Sequence, residues 1–346
     1  MAELQPDASG LAGVLLLGPA RCGSTLVSRM LASHSAVLSL SELFAMIGPR
    51  AFRPARCDGR RFWRALTQPL PGMVRIGNPD TAPDEFLYHR VARRRFDPWN
   101  CPPILSITLP HLSDDPDALL DRLRPQIEPA GDAPLSDHYL ALFAALARLR
   151  PGAKVWAERS GGSLAAAGIL GQMFPLARRI VLLRNGADTA LSLRDYAPGR
   201  LAIWLWKYGL GVVDPISSTR HLGRGAVWPM LAQLPGLPLR AILSRQPSLR
   251  DAGRFWSALM TRGAAALAGQ SFDTLRYEDL IATPAEGVRR LGHLVAGEVP
   301  PDWATRAAAL PRAQASRTDA LDRHDRRILR NACAEGEAAA ASLERT

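Results

Sequence analysis

The sequence predicts an α/β protein in three layers, with a central parallel sheet flanked by helices. Two observations support this fold class. An apolar strand pattern at residues 11–18 passes through a Gly-containing turn into a helix pattern at 24–33 with one apolar face. Farther along, strand and helix patterns alternate from 153 to 196. Such alternation implies parallel strands joined by right-handed crossovers.

The remaining elements follow in chain order. A second strand pattern at 36–42 ends at Glu42, and parallel sheets bind ligands at the carboxyl ends of their strands. The later elements are a strand at 153–160, a helix at 162–174, a strand at 178–185, a helix at 187–196, a last strand in 272–280 that runs into a turn, a helix at 283–297 and a charged terminal helix at 318–345.

We predict a single domain over residues 1–346 with two helical additions. The stretch at about 48–150 is rich in Pro, Arg and Asp, which weakens its periodicity. It is predicted to be a variable insertion with some helix, notably at 135–149. A segment at about 197–262, rich in aromatic residues and proline, is predicted to form a helical cap.

The charge balance is basic, with 43 Lys and Arg against 32 Asp and Glu, a net charge of +11. Lysine occurs only at Lys154 and Lys207, so 43 minus 2, or 41, of the basic residues are arginine. The arginine fork suits phosphate and sulfate oxyanions, although a GC-rich genome is the simplest explanation for most of these residues. No recognised DNA- or RNA-binding motif is present, and we predict no nucleic-acid partner.

The cysteines and the apolar segments indicate neither a metal site nor a membrane span. Cys22, Cys57, Cys101 and Cys333 show no C-x-x-C pairing and no nearby histidine spacing, so neither zinc nor a disulfide framework is predicted. The N-terminus lacks an apolar signal region, and the apolar stretches are too short or too interrupted to cross a bilayer. We therefore expect a cytoplasmic protein, with peripheral membrane contact and oligomeric state left open.

The turn after the first strand, GPARCGST at 18–25, matches the Walker pattern G-x-x-x-x-G-K-[ST] except that Ser24 occupies the lysine position. Backbone amides of such a turn and of the following helix can still cradle a phosphate. Without the lysine, the γ-phosphate of ATP loses its main charge neutralisation. The cation is instead Arg21, two residues before the second glycine.

This displaced cation makes the loop resemble that of the sulfotransferases that use 3′-phosphoadenosine-5′-phosphosulfate (PAPS). Their 5′-phosphosulfate loop runs approximately P-[RK]-S-G-[ST]-T-L-[LM], and "ARCGSTLV" is similar to it, with Ala20 in place of the proline. The resemblance implies a P-loop-like fold of the bacterial and Golgi-type branch. It also implies that the donor is bound by Arg21, Cys22, Gly23, Ser24, Thr25 and Leu26.

Other segments resemble the same family. "IVLLRNGADTALSLRDY" supplies Arg184 at a strand end and Ser192 eight residues later, as in the pattern V-R-[DN]-x-x-[DR]-x-x-x-S that holds the 3′-phosphate. "LRYEDLIATP" is similar to the family's [RY]-Y-E-D-L-x-x-x-P segment, which implies that Tyr277 lies near the nucleotide. "WAERSGGSL" carries Arg159 where the family usually has lysine. Family members add a basic C-terminal element, for which Arg317 is the candidate.

The resemblance implies metal-independent, in-line transfer of a sulfuryl group from PAPS to a hydroxyl of a small-molecule, lipid or carbohydrate acceptor. Such transfer needs a base for the acceptor and cations for the leaving phosphate. The implied base is Glu42, since a desolvated carboxylate has a raised pKa suited to the role. The implied cations are Arg21 and Arg159. An arginine can stabilise the developing charge but cannot donate a proton. His111 and His138 stay as alternative bases.

Two other functions stay open. A P-loop kinase or NTPase would need an acidic residue at a strand end, whereas the strand at 178–185 ends in Arg184 and Asn185. A non-catalytic protein that binds PAPS or its product, adenosine 3′,5′-bisphosphate, would share the loop without transferring sulfate.

Overall fold

A five-stranded parallel sheet forms the centre of the computed structural model, which describes residues 4–70, 74, 77–208, 239–312 and 315–345. The strands of this sheet are β1 Ala12–Leu17, β2 Val37–Ser41, β5 Val155–Arg159, β6 Arg178–Leu183 and β7 Asp273–Arg276. Their order is β2-β5-β1-β6-β7, and every neighbouring pair is parallel. A separate antiparallel pair consists of β3 Arg56–Cys57 and β4 Ala133–Pro134.

Helices surround the sheet and form the insertion and the C-terminal region. Those in the described part of the chain are α1 Ser24–Ala32, α2 Leu43–Ile47, α3 Gly59–Thr67, α4 Pro103–Ser106, α5 Thr108–Leu112, α6 Pro116–Ile127, α7 Leu135–Arg148, α8 Ala167–Met173, α9 Gly186–Asp195, α10 Ala197–Tyr208, α11 Leu239–Ser244, α12 Leu249–Leu267, α13 Tyr277–Ala282, α14 Pro284–Ala296, α15 Pro301–Ala308 and α16 Arg323–Glu344. Within the same residues, no helix combines the length and the apolar character needed to cross a bilayer.

Both faces of the central strand β1 are buried, which explains its continuous run of small and apolar residues. On β1, Leu15 and Leu17 belong to one core cluster, whereas Val14 and Leu16 belong to another. The first cluster includes side chains of α8, α9, α12 and α16, and the second includes those of α1, α14 and α15. The predicted three-layer α/β class, with a central parallel sheet flanked by helices, is confirmed.

The segment at 48–150 is more regular than its composition indicated. Helix α7 matches the prediction at 135–149, but α3, α4, α5 and α6 were not predicted. Two of these helices begin at aspartate caps: Asp58 accepts from the Arg61 amide at 2.7 Å, and Asp115 accepts from the Ala118 amide at 3.0 Å. Such caps were available signals among the Pro and Arg residues. The assignment of this segment as an insertion stays a prediction.

The structure corrects the prediction for the last strand and describes only part of the predicted cap. The last strand does not run into a turn, because Tyr277 begins α13 directly after β7. The backbone amide hydrogen bonds of α13 and the buried Leu280 favour a helix over a turn at this point. In the predicted cap, α10, α11 and most of α12 are helical, while residues 209–238 lie outside the described residues. The cap as a unit stays a prediction.

Candidate active site

The carboxyl ends of the five parallel strands lie at one edge of the sheet, and each carries a residue singled out from the sequence. Glu42 follows β2, Arg159 ends β5, the loop 18–23 follows β1, Arg184 follows β6, and Tyr277 follows β7. The sheet order places them in that sequence across the edge. With strands about 4.8 Å apart, the backbones of Glu42 and Tyr277 are separated by roughly 19 Å.

A cavity of about 790 Å³ opens over this edge of the sheet. Its volume falls within the range of small-molecule sites. Apart from the alternative histidine bases, all the site residues predicted from the sequence except Cys22 line this cavity. They are Arg21, Gly23, Ser24, Thr25, Leu26, Glu42, Arg159, Arg184, Ser192, Tyr277 and Arg317.

Cys22 is the exception because its side chain packs into the core. The residue is 2% exposed and belongs to the apolar cluster beneath α1. Burial raises the pKa of its thiol, so the side chain stays neutral. Cys22 can therefore contribute only its backbone amide to a bound anion.

The second glycine of the loop is held in a position that excludes a side chain. Gly23 has a φ of 90°, and a Cβ there would lie 2.1 Å from Cδ2 of Tyr277. The same Tyr277 ring stacks on Arg184, whose Cζ lies 4.5 Å from the ring centroid. Gly23, Tyr277 and Arg184 thus form one packed unit beside the N-terminus of α1.

Arg21 joins the two parts of the predicted nucleotide site. The Arg184 Nη1 donates to the Arg21 carbonyl at 3.1 Å, and the Arg21 Nε donates to the Ser192 Oγ at 3.1 Å. Arg21 has a φ of 63°, a left-handed conformation that costs about 1–3 kcal/mol in a residue other than glycine. Residues far apart in sequence are therefore brought together around a strained loop cation.

Two residues not suggested by the sequence complete the surroundings of Arg21. The Arg21 Nη1 donates to Glu85, and its Cζ lies 4.7 Å from the ring centroid of Tyr196. The Tyr196 hydroxyl donates to Glu85 at 2.7 Å, and burial beside that carboxylate raises the pKa of Tyr196, which keeps it a donor. Tyr196 lies four residues after Ser192, a helical spacing that could have suggested it. Glu85 lies in a Pro- and Asp-rich segment without such a signal.

Glu42 and Arg159 form a buried ion pair at the other end of the cavity. They are 7% and 4% exposed, and the Arg159 Nη1 donates to Glu42 Oε1. The Gly161 amide donates to Glu42 Oε2 at 2.8 Å, and the Arg159 Nη2 donates to the Ser41 Oγ at 2.6 Å. Burial raises the pKa of Glu42 although the Arg159 charge opposes the shift. The buried Arg159 Nε has no acceptor among the described residues.

A second buried carboxylate supports the segment that carries Glu42. The Ser160 hydroxyl accepts from the amides of Phe44 and Ala45, at 3.1 and 3.2 Å, and donates to Glu158 Oε1 at 2.6 Å. Glu158 is 1% exposed, and burial raises its pKa to about 8. It is absent from the cavity lining. This pair fixes the start of α2, and with it Glu42, to the end of β5.

The two candidate histidines lie away from the cavity. His111 shares a hydrogen bond with the Ser28 Oγ at 3.3 Å, and burial lowers the pKa of its imidazole to about 4. His138 hydrogen bonds through Nε2 to the Cys57 carbonyl at 2.6 Å. Neither histidine lines the cavity, whereas Glu42 does.

Further arginines contribute to the cavity wall. Arg317 lies in a short 3-10 turn, Arg317–Ala320, and donates to Asp195 at 2.8 Å. Arg29 and Arg312, which were not predicted, also line the cavity and are exposed. Across the described part of the chain, no group of three or more His, Cys, Asp or Glu side chains is arranged to hold a metal ion.

No protein-family model matches the chain, and no curated protein matches it. Solved structures show a distant likeness. The sulfotransferase domain of the Synechococcus PCC 7002 olefin synthase is 14% identical, with 99% of this chain and 98% of that one covered, at a TM-score of 0.41. Sulfotransferase STF9 from Mycobacterium avium is 16% identical, with 96% and 76% covered, at a TM-score of 0.43.

Sulfotransferase STF1 from Mycobacterium tuberculosis H37Rv is also 16% identical, with 94% of this chain and 76% of that one covered, at a TM-score of 0.38. At such low identity and TM-score, the activity proposed below rests on the residues of the site itself.

Proposed function

We propose that this protein is a sulfotransferase that moves the sulfuryl group of PAPS to the hydroxyl of a small-molecule, lipid or carbohydrate acceptor. One observation carries the proposal. A phosphate-binding type of loop whose cation is Arg21, rather than a loop lysine, is hydrogen bonded to both Arg184 and Ser192 at the carboxyl edge of a parallel sheet. This arrangement suits a nucleotide with anionic groups at two separate positions.

The donor set of the cavity fits such a nucleotide. The loop amides with the hydroxyls of Ser24 and Thr25 would hold the 5′-phosphosulfate, and Arg184 with Ser192 would hold the 3′-phosphate. The buried Arg159 Nε lacks an acceptor among the described residues, and such a donor is costly unless it is paired. A sulfuryl oxygen would supply the missing acceptor. Tyr277, Leu26 and Arg317 would flank the rest of the nucleotide.

The residues at the Glu42 end suit the chemical step. Glu42 takes the proton of the acceptor hydroxyl as the acceptor oxygen forms a bond to sulfur. The bond between sulfur and the bridging oxygen breaks, and its electron pair stays on the leaving phosphate of adenosine 3′,5′-bisphosphate. Arg159 and Arg21 stabilise the charge that the equatorial and leaving oxygens share. Since arginine does not deprotonate in proteins, neither acts as a general acid.

The kinase alternative has less support from the site. A kinase needs a lysine on the β- and γ-phosphates and an acidic group for Mg²⁺ near the loop. Ser24 occupies the lysine position. Glu158 on β5 accepts from Ser160 and does not line the cavity. The two carboxylates that do so in the described part of the chain, Glu42 and Glu85, are paired with Arg159 and Arg21.

The experiment that tests the proposal follows the sulfur label. The protein is incubated with PAPS labelled in its sulfuryl group and a mixed panel of alcohols, and the labelled sulfate esters are separated and counted. We expect labelled esters with the parent chain and at least about 10²-fold less ester in the same time with Glu42→Gln. If the parent binds the nucleotide but yields no ester with any alcohol, the non-catalytic alternative is correct.

A further inference from the structure

We propose that the acceptor is a neutral alcohol with an apolar body, bound in the half of the cavity beside Glu42 and Glu85. This inference rests on the proposed function and narrows its acceptor to one chemical class. It combines the order of the strands, the two carboxylates of the cavity wall and the apolar side chains that line the cavity.

The sheet order separates the two ends of the cavity. Arg184 and Tyr277 follow β6 and β7 at one end, and Glu42 follows β2 at the other. Arg317 lies against Asp195 at the end of α9, which follows β6. A nucleotide held by these arginines extends toward β7. Only the β2 end, beyond the loop and Arg159, then remains for the acceptor.

Among the described residues, two carboxylates line the cavity: Glu42 follows β2, and Glu85 lies beside Arg21 of the loop after the central strand β1. Glu42 is paired with Arg159, and Glu85 is paired with Arg21. The two carboxylates are close enough for the charge of Glu85 to raise the pKa of Glu42. An acceptor with its own negative charge would meet two carboxylates whose cations already have partners, which disfavours it electrostatically. A neutral acceptor meets no such repulsion.

Much of the remaining cavity wall is apolar. Ala45 and Met46 lie three and four residues after Glu42, and Phe86 is adjacent to Glu85. Phe255 and Leu259 are four residues apart on one face of α12. With side chains of α9 and α10, the apolar wall includes Ala45, Met46, Phe86, Leu193, Pro198, Ala202, Phe255 and Leu259.

Four of these side chains are only partly buried, namely Ala45, Met46, Pro198 and Ala202. They are the ones that a ligand would cover, and covering apolar surface stabilises a complex in proportion to its area. A sugar would instead need several hydrogen-bond partners for its hydroxyls, and the apolar side chains on this wall supply none. The wall therefore fits a hydrocarbon better than a glycan.

The test compares three acceptors that share a primary hydroxyl: octan-1-ol, 8-hydroxyoctanoate, which adds a carboxylate to the same chain length, and methyl glucoside. Transfer from labelled PAPS is measured as kcat/KM, and adenosine 3′,5′-bisphosphate binding is measured separately by calorimetry. We expect octan-1-ol to exceed each of the others by at least about tenfold. Met46→Gln, which keeps the side-chain length, should lower kcat/KM for octan-1-ol by about tenfold and leave bisphosphate binding unchanged.

Glu85→Gln should narrow the ratio between octan-1-ol and 8-hydroxyoctanoate, because it removes one of the two repelling charges. The inference is overturned if methyl glucoside or 8-hydroxyoctanoate is the better acceptor. It is also overturned if the protein binds the bisphosphate yet none of the three alcohols is sulfated, a result that leaves donor binding intact. A protein that does not bind the bisphosphate would remove the proposed function and this inference together.

Discussion

Glu42 and Arg159 face each other as a buried ion pair at the carboxyl ends of the neighbouring strands β2 and β5. Glu42 adopts a φ of 57°, and its backbone amide donates to the Arg159 carbonyl at 2.7 Å. The strained backbone and the pairing together fix one carboxylate at the wall of the cavity. Such strain, at a cost of about 1–3 kcal/mol, is typical of functional sites.

The ion pair predicts a marked asymmetry between single and double substitutions. Arg159→Met leaves the Glu42 charge buried without its partner, and such a change lowers the free energy of unfolding by about 3–5 kcal/mol. Arg159→Met combined with Glu42→Gln removes both charges and should recover most of that loss. Urea denaturation at neutral pH measures both variants. Equal stability of the single and double variants would show that the pair is not coupled.

Glu42→Gln should lower the rate of transfer without weakening nucleotide binding. The amide cannot accept the acceptor proton, so kcat should fall by about 10²–10⁴-fold. Bisphosphate affinity should change little, because Glu42 lies at the β2 end of the sheet edge and the nucleotide residues lie toward β7. Labelled transfer and calorimetry on the same preparations measure the two effects. Retained transfer in this variant would exclude Glu42 as the base.

The pH profile supplies an independent check on the same residue. A base is active when it is ionised, so kcat/KM of the parent chain should rise with pH through the pKa of Glu42, which burial has raised. The residual activity of Glu42→Gln should lack that rise. His111 should add no second inflection between pH 5 and 8, because burial lowers its pKa to about 4. An inflection that persists in the Gln variant would point to another base.

Glu158 predicts a dependence of stability on pH. Its pKa is raised to about 8 in the folded chain, from an ordinary value of 4.5. Between these values the unfolded chain releases a proton that the folded chain keeps, so this residue's contribution to stability is full below pH 4.5 and is lost as the pH rises toward 8. Glu158→Gln should flatten the fall in thermal midpoint across this range. Parallel curves for the parent and the variant would contradict this assignment.

A side chain at Gly23 should clash with Tyr277, and Gly10, which also has a positive φ, serves as the matched control. Gly23→Ala meets both the positive φ and the ring of Tyr277, whereas Gly10→Ala meets a φ of 76° with nothing within 4 Å of the added Cβ. Gly23→Ala should therefore lose more stability than Gly10→Ala, and it should also weaken bisphosphate binding. Thermal melts and calorimetry measure the two effects. Equal losses would mean that the Tyr277 contact imposes no constraint.

The sequence was sufficient to predict those parts of the site that follow buried strands. The first strand, β1, is a short apolar run, and in each strand of the sheet a residue of the cavity wall comes at or just after the carboxyl end. Glu42 could therefore be placed at the binding edge from the strand pattern, whereas Arg184, Tyr277, the loop and Arg159 were assigned to the site from the motifs that resemble the sulfotransferase family. Cys22 is the exception among the loop residues, because its side chain is buried in the core and does not face the cavity.

The parts that escaped prediction depend on tertiary contacts. Glu85 reaches Arg21 from a Pro- and Asp-rich segment, and no local period signals a side chain whose partners are Arg21 and Tyr196. The order of the strands in the sheet could not be predicted from local sequence patterns either. Strands β2 and β5 are neighbours in the sheet although the whole segment at 48–150 separates them in the sequence. Long-range pairing of this kind depends on the packing of the complete core.

The measurement that tests the central claim most directly is a calorimetric titration of the parent chain with adenosine 3′,5′-bisphosphate in the presence of a metal chelator. A second titration uses ATP with Mg²⁺, and Arg184→Ala is compared with Arg124→Ala, whose arginine is exposed and paired with Glu128 away from the cavity. We predict saturable, metal-independent binding of the bisphosphate that Arg184→Ala weakens and Arg124→Ala does not, with no comparable binding of ATP. Binding of ATP with Mg²⁺ and none of the bisphosphate would contradict the proposed sulfotransferase.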